Sequence, residues 1–261
     1  MKTDKIANFI VDWLKQYLIN SHQKGFVIGI SGGVDSAVTS TLCAMTGYPV
    51  LCLELPIRQK SSEVSRAKNH IQWLQSKYSQ VRSLEVDLTT VFEEFVRIMP
   101  ESSHNTDLAE ANSRSRLRMT TLYYFAGIYS YIVAGTGNKV EDFGVGFYTK
   151  YGDGGVDVSP IGDLMKTEVY QLAKYLDIIP EIQAAIPTDG LFDDSLSDED
   201  QLGASYPELE WAMRQAESGS SVEAFSGRDR EVFEIYMRRH RSNLHKMIPI
   251  PVCLIPPEWK D

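Results

Sequence analysis

Phe26-Val27-Ile28-Gly29-Ile30-Ser31-Gly32-Gly33-Val34-Asp35-Ser36 is the stretch that decides the fold. The apolar run from Phe26 to Ile30 reads as a buried strand, and Ala37-Val38-Thr39-Ser40-Thr41-Leu42 as the helix that follows. A strand that turns through two glycines onto a helix N-terminus makes an anion pocket, because free backbone N–H groups point inward. Ser31 and Ser36 add hydroxyl donors. The loop has no lysine, so it is not the phosphate loop that handles a γ-phosphate. Asp35 would repel a bare phosphate, and it makes sense there when a divalent cation bridges the two.

Outward from this loop, strand-like and helical patterns alternate. A helix reaches Met45 and is capped at Gly47, and Val50-Leu51-Cys52-Leu53 is a second strand. The next helix begins at Ser61 or Ser62 with an apolar stripe of Val64, Ala67, Ile71, Leu74 and Tyr78. Leu84–Leu88 reads as a third strand, followed by a helix marked by Val91, Phe92, Phe95 and Met99 that stops at Pro100. A long helix spans Asp107 to Ser130, and Tyr131–Ala134 is a fourth strand. The expected fold is α/β, a doubly wound, mostly parallel sheet with helices on both faces, in a single domain over residues 1–261. Ligands in such sheets sit beyond the carboxyl ends of the strands, which places the Ser31–Ser36 loop and Gly135-Thr136-Gly137-Asn138 on one edge.

The remaining segments are less regular. Residues 1–24 carry an amphipathic N-terminal helix with Ile6, Phe9, Ile10, Trp13, Leu14 and Tyr17 on one stripe. Gly137 to Pro160 holds six glycines and little periodicity, so it reads as a functional or mobile loop. Helical patterns resume at Met165–Leu176, Tyr206–Ala216 and Asp229–His245, with an acidic, lid-like mobile loop expected at 188–203. Residues 247–261 are expected to form an extended tail lying on the body.

Composition narrows the partners. With 43% apolar and 23% charged residues the balance is that of a soluble globular chain. A net charge of -9 argues against non-specific nucleic-acid binding, and neither a membrane span nor a signal peptide is evident. Cys43, Cys52 and Cys253 lie in apolar surroundings without metal-ligand spacing, as expected of reduced core thiols in a cytoplasmic protein. His22, His70, His104 and His240 show no metal spacing and are expected at the surface. Tyr123, Tyr124, Phe125, Tyr129 and Tyr131 read as core or subunit interface.

The pattern S-G-G-x-D-S resembles the pyrophosphate loop (PP-loop) of the ATP pyrophosphatase superfamily, whose Rossmann-like members adenylate a substrate oxygen and release pyrophosphate. Thr149-Lys150-Tyr151-Gly152-Asp153-Gly154-Gly155-Val156-Asp157 is similar to the T-K-Y-G-D-G-G-x-D block of ammonia-dependent NAD synthetases. Gly135-Thr136 with Glu141, and Asn112 with Arg116-Leu117-Arg118-Met119, resemble two more segments of that family. Lys166, Pro187-Thr188, Leu202-Gly203 with Ser205-Tyr206, and His245-Lys246 extend the ordered resemblance across nearly the whole chain.

The resemblance implies roles. ATP, as co-substrate, would lie on Gly29, Ile30, Ser31, Gly32, Gly33, Val34, Asp35 and Ser36, with Thr136, Lys166 and Thr188. Mg²⁺ would be held by Asp35 and Glu141. Deamido-NAD would be bound by Asn112, Arg116, Lys150, Asp157, His245 and Lys246. Asp35, Asp153 and Lys166 would be the catalytic residues, with Asp153 on a glycine-flanked backbone where a carboxylate could hold ammonium and take its proton. Taken without the resemblance, Arg116 and Arg118 read as an exposed helix face, His245-Lys246 as cations favoured at a helix C-terminus, and Asp153 as a turn aspartate. The implied activity is ATP- and Mg²⁺-dependent amidation of deamido-NAD by ammonia, the last step of NAD biosynthesis, in a homodimer. The short stretch before residue 29 and the fifteen residues after Lys246 leave no room for an amidase domain, which points to ammonia as the nitrogen source. A tRNA-modifying PP-loop enzyme and an inactive nucleotide-binding regulator are the alternatives. One departure stands out: Glu54 occupies the place, two residues before Pro56, where many relatives carry an arginine facing ATP.

Overall fold

The computed structural model describes residues 1–59, 61–188 and 197–260. Helix α1 (Thr3–Asn20) precedes β1 (Phe26–Gly29), α2 (Val34–Met45), β2 (Val50–Glu54), α3 (Ser61–Lys77) and β3 (Val81–Glu85). Then come α4 (Thr89–Arg97), α5 (Asp107–Tyr129), the two-residue β4 (Ile132–Val133) and a π-helix at Val140–Val145. Helices α6 (Lys166–Tyr175), α7 (Pro180–Gln183), α8 (Asp198–Leu202), α9 (Tyr206–Glu217) and α10 (Gly227–Met247) complete the chain.

The strands pair in the order β3-β2-β1-β4, every pair parallel. Phe26 and Ile28 of β1 enter the core shared with α1, α2, α3 and α6, while Val27 enters the core beneath α4 and α5. Both faces are therefore covered, which is why β1 and β2 are continuous apolar runs and not alternating ones. A third cluster joins α9 and α10 to the π-helix through Val140, Val145, Leu209, Met213, Phe233 and Tyr236. The chain order reverses direction between β1 and β4, so the crevice for a ligand opens between the segments that follow those two strands.

Several expectations shift. The third strand is Val81–Glu85, not Leu84–Leu88, because β3 is an edge strand in which only Val81 is buried. Leu88 is buried instead at the start of α4. The fourth strand is shorter than expected, with Ala134 making one further parallel bridge to Val158. The supposed loop from 137 contains the π-helix, whose wider turn suits its packing against α9 and α10. In the acidic segment, Asp198–Leu202 is helical under a Ser197–Asp200 capping box, so that end is not a loop; residues 189–196 of the expected mobile loop lie outside the described residues.

The buried row of α1 is Ala7, Ile10, Val11, Leu14 and Leu18, leaving Phe9, Trp13 and Tyr17 outward. His70 is not a surface residue: it is fully buried, hydrogen-bonded to Ser40 Oγ (2.9 Å) and stacked on Trp73. Cys43 and Cys52 are buried as expected, but Cys253 is exposed on the tail. The tail does not bury its apolar side chains, and Trp259 is 75% exposed. No helix among the described residues is long and apolar enough to cross a membrane.

Candidate active site

The loop after β1 is built by its own serines. Gly32 adopts φ 83°, open to glycine at little cost, and lets the chain reverse onto α2. Ser36 Oγ donates to the Gly33 carbonyl (3.0 Å) and accepts from the Ser31 N–H (3.3 Å), while the Gly33 N–H donates to Ser31 Oγ (3.2 Å). The pocket is thus shaped before any ligand arrives, with the positive end of α2 facing it.

Residues 29–36, Thr136, Glu141, Asp153, Lys166 and Thr188 line one cavity of about 310 Å³. These positions come from five separate regions of the chain and meet because β1 and β4 end side by side. Lys166 is the first residue of α6, and its ammonium lies 2.6 Å from Asp35 Oδ2 and 3.0 Å from Glu141 Oε1. Its side chain is only 4% exposed. Asn138, fully buried, links the two carboxylate residues: its side-chain N–H donates to Asp35 Oδ1 (3.2 Å) and its oxygen accepts from the Glu141 N–H (3.2 Å). Tyr206 donates its single hydroxyl proton to Glu141 Oε1 (2.5 Å), with Asp198 Oδ2 within reach of the same hydroxyl (3.1 Å).

Electrostatics follow from this packing. Burial alone would depress the Lys166 pKa, but the two carboxylates raise it well above the ordinary lysine value. Burial would raise Glu141, yet Lys166 and the Tyr206 hydroxyl hold it below the usual carboxylate range. Asp35 goes the other way, pushed up by burial and by the neighbouring Glu141 charge against the pull of Lys166. Asp142 is pushed well up by burial and then by Asp153, Glu141 and Asp35. Asp153 receives hydrogen bonds from Ser115 Oγ (2.7 Å) and the Thr149 N–H (2.9 Å), but desolvation in the cleft still raises it.

Residues 6–249 match the NAD synthase family. The chain belongs to that family. It is 36% identical over 258 residues to an NH(3)-dependent NAD(+) synthetase of Archaeoglobus fulgidus, covering 98% of both chains. A second such synthetase, of Methanococcoides burtonii, is 35% identical over 92% of this chain and 90% of its own. Among solved structures, an NMN synthetase of Francisella tularensis superposes with a TM-score of 0.84 at 30% identity, covering 98% of this chain and 99% of its own. An NH3-dependent NAD synthetase of Campylobacter jejuni gives 0.78 at 25% identity, covering 98% and 100%.

NAD synthases use ATP as co-substrate with Mg²⁺, and the residues present suit that ion. Asp35 and Glu141 already converge on one cation, the Lys166 ammonium, and both offer hard oxygens. Among the described residues no cluster of three or more acidic, histidine or cysteine side chains forms a metal cage, so the remaining ligands would be phosphate oxygens and water.

The six residues expected at deamido-NAD do not line the cavity. Asn112 accepts from Thr149 Oγ1 (2.6 Å), and Asp157 accepts from the Val133 N–H (2.7 Å) and the Tyr123 hydroxyl (3.0 Å). Lys246 donates to the carbonyls of Gly146 and Tyr148 (2.7 Å each), which holds the end of the π-helix. Arg116 and His245 are exposed and Lys150 is half-buried, with Arg116 donating to the Lys150 carbonyl and Lys150 to the His245 carbonyl (2.6 Å). Sequence reasoning missed Asn138, Ser115 and Asp198 as supports of the site. Asp198 gave no signal, because a carboxylate within an acidic run reads as solvated; Tyr206 lay at a matched position without a role.

Proposed function

We propose that this protein is an ammonia-using NAD⁺ synthetase. The observation that carries the proposal is the meeting, in one cavity, of the serine-clamped anion loop, the Asp35–Lys166–Glu141 cluster and Asp153. ATP would lie with its phosphates on the N–H groups at the start of α2. The nicotinate carboxylate of deamido-NAD attacks the α-phosphorus, forming the acyl-adenylate and releasing pyrophosphate. Asp35 and Glu141 would hold Mg²⁺, which would supply neutralisation of the triphosphate charge. Lys166 and the loop hold the phosphates, so positioning and charge complementarity carry this step. Asp153, held by Ser115 and Thr149, takes the proton of ammonium; NH₃ then attacks the activated carbonyl and AMP leaves.

Arg116 directly follows cavity-lining Ser115, and Lys150 stands two residues before cavity-lining Gly152, so these two cations adjoin the cavity. That supports a role for Arg116, Lys150 and His245 in holding a dinucleotide's phosphates. A homodimer is supported by outward apolar rows on α1 (Phe9, Trp13) and α5 (Tyr124, Ile128), which adjoin where Tyr17 lies near Tyr123. A cytoplasmic setting is supported by two buried thiols in no disulfide. Likeness to an NMN synthetase favours one second substrate, the nicotinate mononucleotide. Purified protein given ATP, Mg²⁺, ammonium and either deamido-NAD or the mononucleotide separates the two. Formation of NAD⁺ and AMP supports the proposal, and ATP bound without turnover of either substrate overturns it.

A further inference from the structure

Glu54 ends β2 on the carboxyl edge of the sheet, beside the point where the Ile30 N–H bonds the Leu53 carbonyl and β1 passes into the anion loop. It shares a strand face with Val50 and Cys52, toward α2 and α3, and lines the same cavity as Ser31–Ser36. The residue is 8% exposed, and its Oε2 is buried without a hydrogen-bond partner among the described residues. Lys68 attracts Glu54 but is itself paired with Glu85 at 2.8 Å, while Arg66 donates to the Gly32 carbonyl and Arg118 to the Leu55 carbonyl and Gln59. An orphaned buried carboxylate oxygen costs stability, so its retention in a ligand cavity calls for a donor that the described residues do not supply.

The neighbourhood says which donor. Val64 and Ala67 of α3 and Leu55, the residue after Glu54, give the same cavity apolar lining. A flat heterocycle fits such a lining, whereas a phosphate would meet like charge. The α2 N-terminus attracts the anionic end of a nucleotide while Glu54 repels it, so the two together sort the ends of ATP. Resting on the ATP site proposed above, we infer that Glu54 accepts a hydrogen bond from the nucleoside half of ATP, through the adenine amino group or a ribose hydroxyl. It is a specificity residue for the co-substrate in a place where an arginine would act on ATP differently.

The test is calorimetric titration of the full chain with Mg²⁺ and ATP, ITP, 2′-deoxyATP or inorganic pyrophosphate, in wild type, Glu54→Gln and Glu54→Leu. Glu54→Leu is expected to bind ATP about ten-fold more weakly, the loss typical of a charged hydrogen bond, and pyrophosphate equally well. The ligand-free variant is expected to melt at a higher temperature than wild type, opposite to the outcome for a residue that merely holds the fold. If the variant loses the preference for ATP over ITP, the amino group is the donor; if it loses the preference over 2′-deoxyATP, the ribose is. Unchanged ATP binding, or parallel loss of ATP and pyrophosphate, overturns the role of Glu54. A wild-type protein that binds no ATP overturns the ATP site itself, a separate failure.

Discussion

Replacing Lys166 by methionine tests how the centre of the cavity is held together. The ammonium lies 2.6 and 3.0 Å from two carboxylates whose side chains are only 17% and 15% exposed. Methionine keeps the length and removes the charge, leaving Asp35 and Glu141 side by side. Breaking a buried pair in this way costs about 3–5 kcal/mol. Protonation sets a second bound: neutralising a carboxyl of ordinary pKa near 4 at pH 7 costs about 4 kcal/mol, and the variant can always take that route. The expected loss of unfolding free energy at pH 7 is therefore about 3–4 kcal/mol, read by urea denaturation. The sign of the pH dependence follows from Glu141, whose folded pKa is depressed below 4.5. Its stabilisation is present above the unfolded value and is lost as pH falls through the folded one. Between pH 7 and pH 4 that wild-type contribution is almost fully retained, while the cost to the variant of protonating one carboxyl falls toward zero. The gap between wild type and Lys166→Met should therefore narrow over this range. Millimolar Mg²⁺ without nucleotide should stabilise the variant more than the wild type, since it frees both carboxylates for a cation. A loss below about 1 kcal/mol, or one that is the same at pH 7 and pH 4, would refute a buried ion-pair centre.

Other outcomes follow from the same packing. His70, buried and neutral, has its pKa depressed to about 4 from 6.5. Stability should fall by about 3 kcal/mol as pH drops from 6.5 toward 4, and His70→Gln should flatten that slope in urea titrations across this window. Tyr206→Phe removes the hydroxyl shared by Glu141 and Asp198 and should cost about 2 kcal/mol in thermal or chemical unfolding. No change in the midpoint would mean that the hydroxyl is not holding these carboxylates. A Cβ at Gly152 would overlap Ser115 Oγ, which holds Asp153. Gly152→Ala should lower kcat about 100-fold through this displacement while ATP binding by calorimetry is retained.

Much of the site was legible in the sequence for a local reason. The Gly32-Gly33 turn and its serines make their hydrogen bonds within six residues, so the loop's shape is written in adjacent positions. Residues 137–160 and 188–203 were read less well. The π-helix and α8 owe their form to packing on α9 and α10 and to bonds such as Tyr206–Glu141, which join positions 65 apart. The misplaced third strand has a similar cause: an edge strand needs backbone pairing and little burial, so its hydrophobic pattern is weak. His70 looked like a surface residue because its partner, Ser40, lies 30 positions away on another helix.

The sequence by itself determined the parallel α/β architecture, the anion loop and the family, because strand hydrophobicity and glycine-dependent turns are local properties. Tertiary structure alone decided that Lys166 stands between Asp35 and Glu141, and that Glu54 lines the same cavity with its Oε2 in no hydrogen bond among the described residues. Charge pairing and burial depend on what the folded chain brings within a few ångströms, and no spacing along the chain encodes that distance.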